Sequence, residues 1–229
     1  MKEYGRDRKW PFAEGGGVTI LLATAGWGTA VFLARKLIHP LTQLLAWLAT
    51  AVWLLILYFF RDPQRDIASQ PGLVLSPADG EVVEIAHEAE NNYLHQPCIR
   101  ISIFLSITNV HIQRVPIGGT VTQVTHRPGQ FLQAFRPEAS DVNEFIAMMV
   151  ETEGYGRILV KQIAGILARR CVNYCQPGDQ VATGQRFGLI RFSSRVDLFL
   201  PPNAQLLLQV GDKVHAGLTP MAQLKQQET

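Results

Sequence analysis

The chain has 229 residues, of which 47% are hydrophobic and 17% are charged, and its formal net charge is +2. So small a charge, without a basic block interleaved with aromatic residues, excludes an electrostatic case for nucleic-acid binding. Three cysteines without a pairing framework are typical of a protein in a reducing compartment, and the Cys171–Cys175 spacing lacks the second ligand pair that a metal site needs, so no metal is predicted.

Two uncharged apolar stretches occupy the N-terminal quarter of the chain, at about residues 15–34 and 40–60. A helix of about twenty residues rises about 30 Å, which matches the hydrocarbon core of a bilayer. The short link between the stretches predicts a transmembrane helical hairpin with both ends on one side. A cleavable signal peptide is the alternative for the first stretch, but no clear small-residue cleavage site follows it.

Basic residues at the hairpin ends predict its orientation. More of them flank the two ends than occupy the link, and the positive-inside rule therefore favours cytoplasmic ends. The flanking residues are Lys2, Arg6, Arg8, Lys9, Arg61 and Arg65, against Arg35 and Lys36 in the link. We predict a membrane-anchoring segment at residues 1–60 and a domain at residues 61–229 on the cytoplasmic side of the cell (inner) membrane.

The sequence pattern predicts that this domain is mainly β, with few short helices. Short apolar runs alternate with Gly, Pro and Asp turns, while helical periodicity is weak outside residues 139–144 and 163–169, and the second of these could equally end a strand. The pattern Gly-Asp-x-Val-x-x-Gly occurs at residues 178–184 and again at 211–217. Repeated Gly-Asp turns between short strands are typical of barrel-sandwich or lipoyl-like folds.

Several polar residues are not explained by the formation of turns. Asp79 precedes a strand, His111 lies in an apolar strand, His126 lies in a loop, and Glu144 precedes another strand. Taken alone, each has a structural explanation, such as a turn-forming carboxylate or a packed strand histidine. The pair Ser193-Ser194 interrupts a strand-like run between two arginines, which an edge strand or a bulge facing water would also explain.

Taken together and in order, these motifs resemble one family. The sequences "FFRDPQR", "SPADG", "NVHIQRVP", "HRPGQF", "QIAGILARR" and "SSRVDLFLP" are similar to those of the short, prokaryotic type II-like phosphatidylserine decarboxylases, from about Tyr58 to Leu218. The resemblance implies a self-processing, pyruvoyl-dependent carboxy-lyase. Phosphatidylserine would become phosphatidylethanolamine through a Schiff base with the pyruvoyl group, which supplies an electron sink that ordinary side chains lack.

The resemblance also implies roles for individual residues. The hydroxyl of Ser194 attacks the carbonyl of Ser193, the chain is cut between 193 and 194, and Ser194 becomes the pyruvoyl cofactor of the small chain. Asp79 and His111 match the positions of the Asp and His that orient and activate this serine. The implied partners are phosphatidylserine and the membrane, with the large and small chains derived from one precursor, and a homo-oligomer is left open.

Three positions depart from the family pattern. Ser193 replaces the usual Gly, Phe145 replaces the Arg of an Asn-Glu-Arg motif, and Arg114 stands where longer relatives carry a second His. If His111 is not the base, His126 is the next candidate. Two alternatives to an active enzyme remain: a non-catalytic, membrane-anchored β-sandwich adaptor, and a family member whose self-processing is impaired by Ser193.

Overall fold

The computed structural model describes residues 11–132, 139–165, 171–190 and 194–226. The chain forms two compact units, one comprising Lys9–Gln64 and the other comprising mainly Arg65–Thr229. The first unit is helical and the second is built from strands.

The helical unit contains α1 (Gly17–Leu37) and α2 (Pro40–Phe59), which by length and composition could each cross a membrane. α1 continues past the predicted boundary at residue 34 because Arg35 and Lys36 are compatible with a last helical turn, where carbonyl groups carry partial negative charge. α2 begins with Pro40 at a position where no backbone N–H is needed, and His39 Nδ1 accepts from the N–H of Leu41.

The two helices pack antiparallel through two tryptophans. The rings of Trp27 and Trp53 stack with their centroids 4.5 Å apart. Trp27 Nε1 donates to Thr50 Oγ1 at 3.0 Å, and Trp53 Nε1 donates to Thr24 Oγ1 at 3.0 Å. Polar groups that pair with one another in this way are compatible with an apolar environment, where an unpaired donor would be costly.

The second unit is mainly β with few short helices, as predicted. Its strands are β1 (Leu73–Leu75), β2 (Gly80–Glu90), β3 (Gln96–Leu105), β4 (Ile112–Arg114), β5 (Gly119–Arg127), β6 (Phe145–Thr152), β7 (Gly156–Ala164), β8 (Cys171–Asn173), β9 (Gln180–Val181), β10 (Arg186–Ile190), β11 (Ser194–Leu200), β12 (Gln205–Leu206), β13 (Lys213–Val214) and β14 (Pro220–Gln223). A helical turn, α3 (Ala139–Val142), lies at the first predicted helix. At the second, residues 163 and 164 end β7, and residues 166–170 lie outside the described residues.

Within the described residues, the strands form one large sheet and two small ones. The large sheet has the order β13-β2-β3-β11-β7-β6-β5-β9, and the small sheets have the orders β1-β14-β12 and β4-β10-β8. The two Gly-Asp repeats build equivalent turns, since Gly178 and Gly211 have φ values of 95° and 96°. Each turn leads into a two-residue strand, and these strands, β9 and β13, are the two outermost strands of the large sheet.

Strand β11 runs through the middle of the large sheet and is buried on both faces. Its even-numbered apolar residues, Val196, Leu198 and Leu200, join the main hydrophobic core. Phe199 joins a second apolar cluster on the other face. All seven residues of β11 are buried, so the strand that follows the predicted cleavage point is held by packing on both sides.

Candidate active site

Ser194 is the first residue of β11 and lies where the strands of the large sheet begin or end, not on an outer strand. The register pairs Ser194 with Leu105 of β3 on one side and with Ala164 of β7 on the other. The N–H of Ala164 donates to the carbonyl of Glu144 at 2.9 Å, and Asp79 directly precedes β2, whose Glu81 pairs with Phe104. These residues lie side by side at the ends of neighbouring strands. We call this row of strand ends, formed by Asp79, Leu105, Ser194, Ala164 and Glu144, the Ser194 edge.

The Ser194 hydroxyl is buried without a hydrogen-bond partner among the described residues. Buried hydroxyls normally find a partner, so an unsatisfied one calls for an explanation. The expectation of a water-facing edge strand or bulge does not hold for this residue, because Ser194 is fully buried and pairs in register on both sides. Ser193 lies outside the described residues.

His111 is buried directly before β4. Its Nδ1 lies 2.9 Å from the carbonyl oxygen of Asn109. Because a carbonyl can only accept, Nδ1 carries the proton, and Nε2 of the neutral ring has the lone pair of a proton acceptor. Asn109 is fixed in turn, since its Oδ1 accepts from the N–H of Ser106 at 2.9 Å.

The chain brings His111 and Ser194 to the same region of the fold. The N–H of Ile190 donates to the carbonyl of His111 at 3.4 Å, so the last residue of β10 lies beside the histidine. Ser194 follows four residues later, and its partner Leu105 leads through a short loop back to His111. The segment that contains the predicted cleavage point therefore starts beside His111 and ends at Ser194.

A chain of buried amides supports His111, and sequence reasoning missed it. Gln113 Nε2 donates to the carbonyl of His111 at 2.8 Å, and Gln162 Nε2 donates to Gln113 Oε1 at 3.0 Å. Both glutamines are fully buried. The available signal was a glutamine inside each of two apolar strand runs. Satisfied buried networks of this kind restrict the backbone to one arrangement.

Asp79 is paired with Arg65, a residue that sequence reasoning did not single out as a site residue. Arg65 Nη1 and Nη2 donate to the two carboxylate oxygens at 2.7 and 2.9 Å. The N–H of Ala216 donates to Asp79 Oδ1 at 2.8 Å, and His215 Nδ1 lies 3.5 Å from Oδ2. His111 is not among the described partners of this carboxylate; its ring contacts the carbonyl of Asn109, and its backbone carbonyl accepts from Gln113.

The environment of Asp79 keeps it ionised. Burial alone would raise the pKa of this carboxyl, but the hydrogen bonds and positive charge of Arg65, with the N–H of Ala216, lower the pKa below its ordinary value. Asp79 is therefore a carboxylate at neutral pH. It accepts hydrogen bonds from Arg65 and from the N–H of Ala216 and so holds these two residues in place.

Replacing Asp79 by Asn should destabilise the fold in a pH-dependent way. Breaking a buried ion pair costs about 3–5 kcal/mol, and we expect this loss in the free energy of unfolding at pH 7. Because the native pKa lies below the unfolded one, the unfolded state binds more protons between the two values. The contribution is complete above the unfolded pKa and is lost as the pH falls through the native pKa.

Denaturant titrations of the full chain in detergent, at pH 7 and near pH 3, would measure this effect. The difference between wild type and Asp79→Asn should shrink at the lower pH. Glu153→Gln, at an exposed position, is the control and should change little at either pH. A difference that grew on acidification would contradict the assignment.

The alternative base, His126, lies farther along the edge. Its Nε2 is 3.1 Å from Glu144 Oε1, and its side chain is 54% exposed. β5, which carries His126, is three strands away from β11, or about 14 Å along the sheet. That separation is too long for direct proton transfer to Ser194.

The other departures from the family pattern lie in packed surroundings. Phe145 belongs to the second apolar cluster, on the opposite face from the main core, and Lys161 Nζ lies 4.1 Å from its ring centroid. Arg114 is buried and donates through Nη1 to the carbonyl of Gly184 at 3.0 Å. Neither substitution removes a described contact of Ser194.

A charged network anchors the residue after Ser194. Arg195 donates through Nε to Asp197 Oδ1 at 2.6 Å and through Nη2 to Ser102 Oγ at 2.9 Å. Arg100 donates to the same Ser102 oxygen at 2.7 Å. The start of β11 is thus held by side chains as well as by its strand partners. Among the described residues, no group of three His, Cys, Asp or Glu side chains could hold a metal ion.

Comparison with known proteins places this arrangement in a family. The family model described as phosphatidylserine decarboxylase matches residues 53–222, a range that includes every site residue above. The chain belongs to the phosphatidylserine decarboxylase family. The match begins inside α2 and ends inside β14, so it covers nearly all of the β unit.

Curated relatives in this family extend over most of the chain, and each is called a phosphatidylserine decarboxylase proenzyme. The relative from Parabacteroides distasonis is 42% identical over 180 residues, covering 78% of this chain and 82% of its own length. The relative from Syntrophus aciditrophicus is 40% identical over 211 residues, with 92% and 93% covered. The relative from Burkholderia ambifaria is 40% identical over 212 residues, with 90% and 97% covered.

Proposed function

We propose that this protein is a self-processing decarboxylase that converts phosphatidylserine to phosphatidylethanolamine. The observation that carries the proposal is the Ser194 hydroxyl, which is buried without a described hydrogen-bond partner at the start of a central strand. This is the serine that the family resemblance assigns to the cofactor. An adaptor does not require a buried hydroxyl that lacks a described hydrogen-bond partner.

Self-processing begins with proton transfer from Ser194 to His111. The Ser194 Oγ forms a bond to the carbonyl carbon of Ser193, the amide bond between residues 193 and 194 breaks, and the freed nitrogen takes up the proton. The resulting ester loses the Ser193 carboxylate by elimination. Hydrolysis with loss of ammonia then leaves a pyruvoyl group at residue 194. This sequence needs water and one base, and no external oxidant.

The residues around position 194 fit such a group. When present, it supplies the electron sink that decarboxylation of an amino acid requires. β3 and β7 hold residue 194 between them, and the hydrogen bond of Arg195 with Asp197 fixes the strand residues that follow. The hydrophobic core excludes bulk water from this face of the sheet. His111 is the residue that we assign to hold and deliver a proton there.

Asp79 contributes as a positioning residue in this proposal. It ties Arg65 and the backbone of Ala216 to the Ser194 edge, two strands from Ser194. Asp79→Asn is therefore expected to slow self-cleavage as well as to lower stability. The cleaved fraction, measured at neutral pH on folded protein, reports the positioning role separately from unfolding.

The two chains would stay together after the cut. All four strands of the small chain pair with strands of the large chain or with each other: β11 with β3 and β7, β13 with β2, and β14 with β1 and β12. Severing one peptide bond leaves these pairings in place. The proposed domains are accordingly the membrane hairpin, residues 1–60, and the decarboxylase domain, residues 61–229, made of two chains.

An intact-mass spectrum and a decarboxylation assay on the purified full chain would test the function. We expect two fragments, the smaller beginning at residue 194 and gaining mass with hydroxylamine because it carries a carbonyl. Phosphatidylserine in mixed micelles should yield phosphatidylethanolamine. A single uncut chain of 25.5 kDa without activity would instead support the adaptor or the unprocessed relative.

We also propose that the β unit faces the cytoplasm at the inner membrane, which the flanking positive charges support. A reporter fused after Thr229 that fluoresces only in the cytoplasm should be active. An alkaline phosphatase fusion at the same point, which needs the oxidising side, should be inactive. The reverse pattern would refute this topology.

A further inference from the structure

We propose that Gln162 is a positioning residue for self-processing, because its buried side chain joins the sheet that carries Ser194 to the sheet that carries His111. His111 directly precedes β4, which belongs to the small sheet β4-β10-β8, whereas Ser194 begins β11 in the large sheet. The distance between the base and the nucleophile therefore depends on how these two sheets pack together. The inference rests on the proposed function, since it adds a residue to the proposed self-cleavage.

The side chain of Gln162 lies on the same face of the large sheet as Ser194. Gln162 is two residues before Ala164, the register partner of Ser194, and residues two apart on a strand share a face. Val196, the register partner of Gln162, belongs to the main hydrophobic core on this face. Gln162 is fully buried there. A buried amide among apolar neighbours is costly unless it is hydrogen-bonded.

The hydrogen-bond partners of this amide belong to the small sheet. Gln162 Nε2 donates to Gln113 Oε1 in β4 at 3.0 Å and to the carbonyl of Val172 in β8 at 3.2 Å. Gln162 Oε1 accepts from Asn173 Nδ2 in β8 at 3.4 Å. One side chain of the large sheet is thus bonded to both outer strands of the small sheet.

A glycine in the middle strand of the small sheet leaves room for this amide. Gly188 of β10 pairs with Gln113 on one side and with Asn173 on the other, so the three residues form a row. A Cβ atom at position 188 would lie 2.6 Å from Gln162 Nε2, which is too close for two non-bonded atoms. The glycine therefore permits a close approach between the sheets. We call Gln162, Gln113, Gly188 and Asn173 the Gln162 bridge.

The Gln162 bridge continues directly to the backbone of His111. Gln113 Nε2 donates to the carbonyl of His111 at 2.8 Å, and the N–H of Ile190, at the end of β10, donates to the same carbonyl at 3.4 Å. Around the bridge, the main hydrophobic core contains side chains of both sheets, and hydrophobic attraction is non-directional. A satisfied hydrogen-bond network is directional, so it fixes a register that apolar packing alone would leave variable.

The register matters because proton transfer is sensitive to distance. A general base takes up a proton across about 2.6–3.2 Å, and a misplacement of about 1 Å can slow a reaction about 100-fold. His111 and Ser194 belong to different sheets, so a small shift of one sheet against the other changes their separation directly. Gln162 would prevent that shift without touching either reacting atom.

A double substitution separates this role from a contribution to stability. Gln113→Met with Gln162→Met replaces two paired amides by unbranched apolar side chains of similar length. Removing both partners of a buried hydrogen bond is nearly neutral, so the unfolding temperature should stay within about 5 °C of the wild type. Self-cleavage should slow about 10–100-fold. Cell-free synthesis of the full chain in detergent, with gel analysis of the fragments over time, would measure the rate.

Two further variants accompany the double substitution. Gln123→Met is the matched control, because Gln123 is a half-buried strand glutamine of β5 whose described partner is Thr125 Oγ1, and the rate of cleavage should not change. Gln113→Asn keeps an amide on a shorter side chain, which cannot hold both the carbonyl of His111 and Gln162. It should also slow cleavage, and it replaces the double variant in the comparison if that variant does not fold.

A His111→Ala background shows whether the Gln162 bridge acts through the histidine. Cleavage there is driven by added imidazole, or by hydroxide at alkaline pH if imidazole does not enter the site. A freely diffusing base needs no positioning, so the two Met substitutions should not slow this cleavage further. Losses that do not add in this way are expected of residues that act as one unit.

The remaining outcomes would overturn the inference. Slowing of equal size with and without His111 would show a general effect on the fold. A folded double variant that cleaves at the wild-type rate would show that the bridge does not position the base. Both results presuppose a wild type that cuts itself, so they leave the proposed function standing. A wild-type chain that stays uncut would instead refute the proposed function, and this inference with it.

Discussion

Ser194→Ala is expected to give a full-length, folded chain with neither self-cleavage nor decarboxylase activity. The hydroxyl has no described hydrogen-bond partner, so its removal breaks no hydrogen bond among the described residues and leaves none of their polar groups newly unsatisfied. The loss should therefore be chemical. Without Oγ no ester forms at position 193, no pyruvoyl group arises, and both activities fall to the detection limit. Intact mass, thermal unfolding and headgroup release on one preparation would measure all three properties.

Ser193→Gly is the companion variant. Ser193 contributes its carbonyl and not its hydroxyl, so this change should preserve cleavage, and it should accelerate cleavage if the Cβ restrains the backbone on the way to the ester. The small fragment should still begin at residue 194 and resist Edman degradation. A fragment that began at 193, or that had a free amino terminus, would contradict the assignment of Ser194.

The sequence was informative where local physics decides structure. Alternating apolar residues and Gly-Asp turns predicted the β class, and the repeats at 178–184 and 211–217 form equivalent turns because a glycine with positive φ is needed in each. The apolar stretches predicted both long helices within a few residues. The start of α2 depends on the capping residue His39, and the end of α1 depends on the positive charges of Arg35 and Lys36 in its last turn.

The partners of the site residues could not be read from the sequence in the same way. Asp79 lies 14 residues from Arg65 and 137 from Ala216, and only the pairing of β2 with β13 brings the last of these to the carboxylate. A carboxylate in a turn and a carboxylate in a buried ion pair look identical in sequence. For the same reason, the family resemblance that pairs Asp79 with His111 did not predict that the described partners of Asp79 are Arg65, Ala216 and His215.

The amides behind His111 show a second limit. Gln113 and Gln162 are far apart in sequence and lie in strands of different sheets, so no periodicity links them. Their burial is energetically acceptable because their amides are paired: Gln162 donates to Gln113, Gln113 donates to the carbonyl of His111, and Gln162 Oε1 accepts from Asn173. A sequence reading that treats every strand glutamine as water-facing therefore misses the support of the histidine backbone.

His111→Gln is expected to leave a folded and almost wholly uncut precursor. Glutamine keeps a polar side chain of similar length, but it has no basic nitrogen to take the Ser194 proton. Loss of a general base typically costs about 10²–10⁴-fold in rate, so cleavage that is complete in the wild type should become barely detectable over the same time. Gel analysis of the fragments over time, with circular dichroism to verify folding, would measure this.

His126→Gln is the matched control for the same experiment. His126 is half exposed and three strands from β11, and its described partner is Glu144, so its replacement should leave the rate of cleavage within a few-fold of the wild type. Added imidazole provides a further check, because a small base that reaches Ser194 should partly restore cleavage to His111→Gln. If His126→Gln blocked cleavage while His111→Gln processed normally, the base would lie at residue 126 and the proposed role of His111 would be wrong.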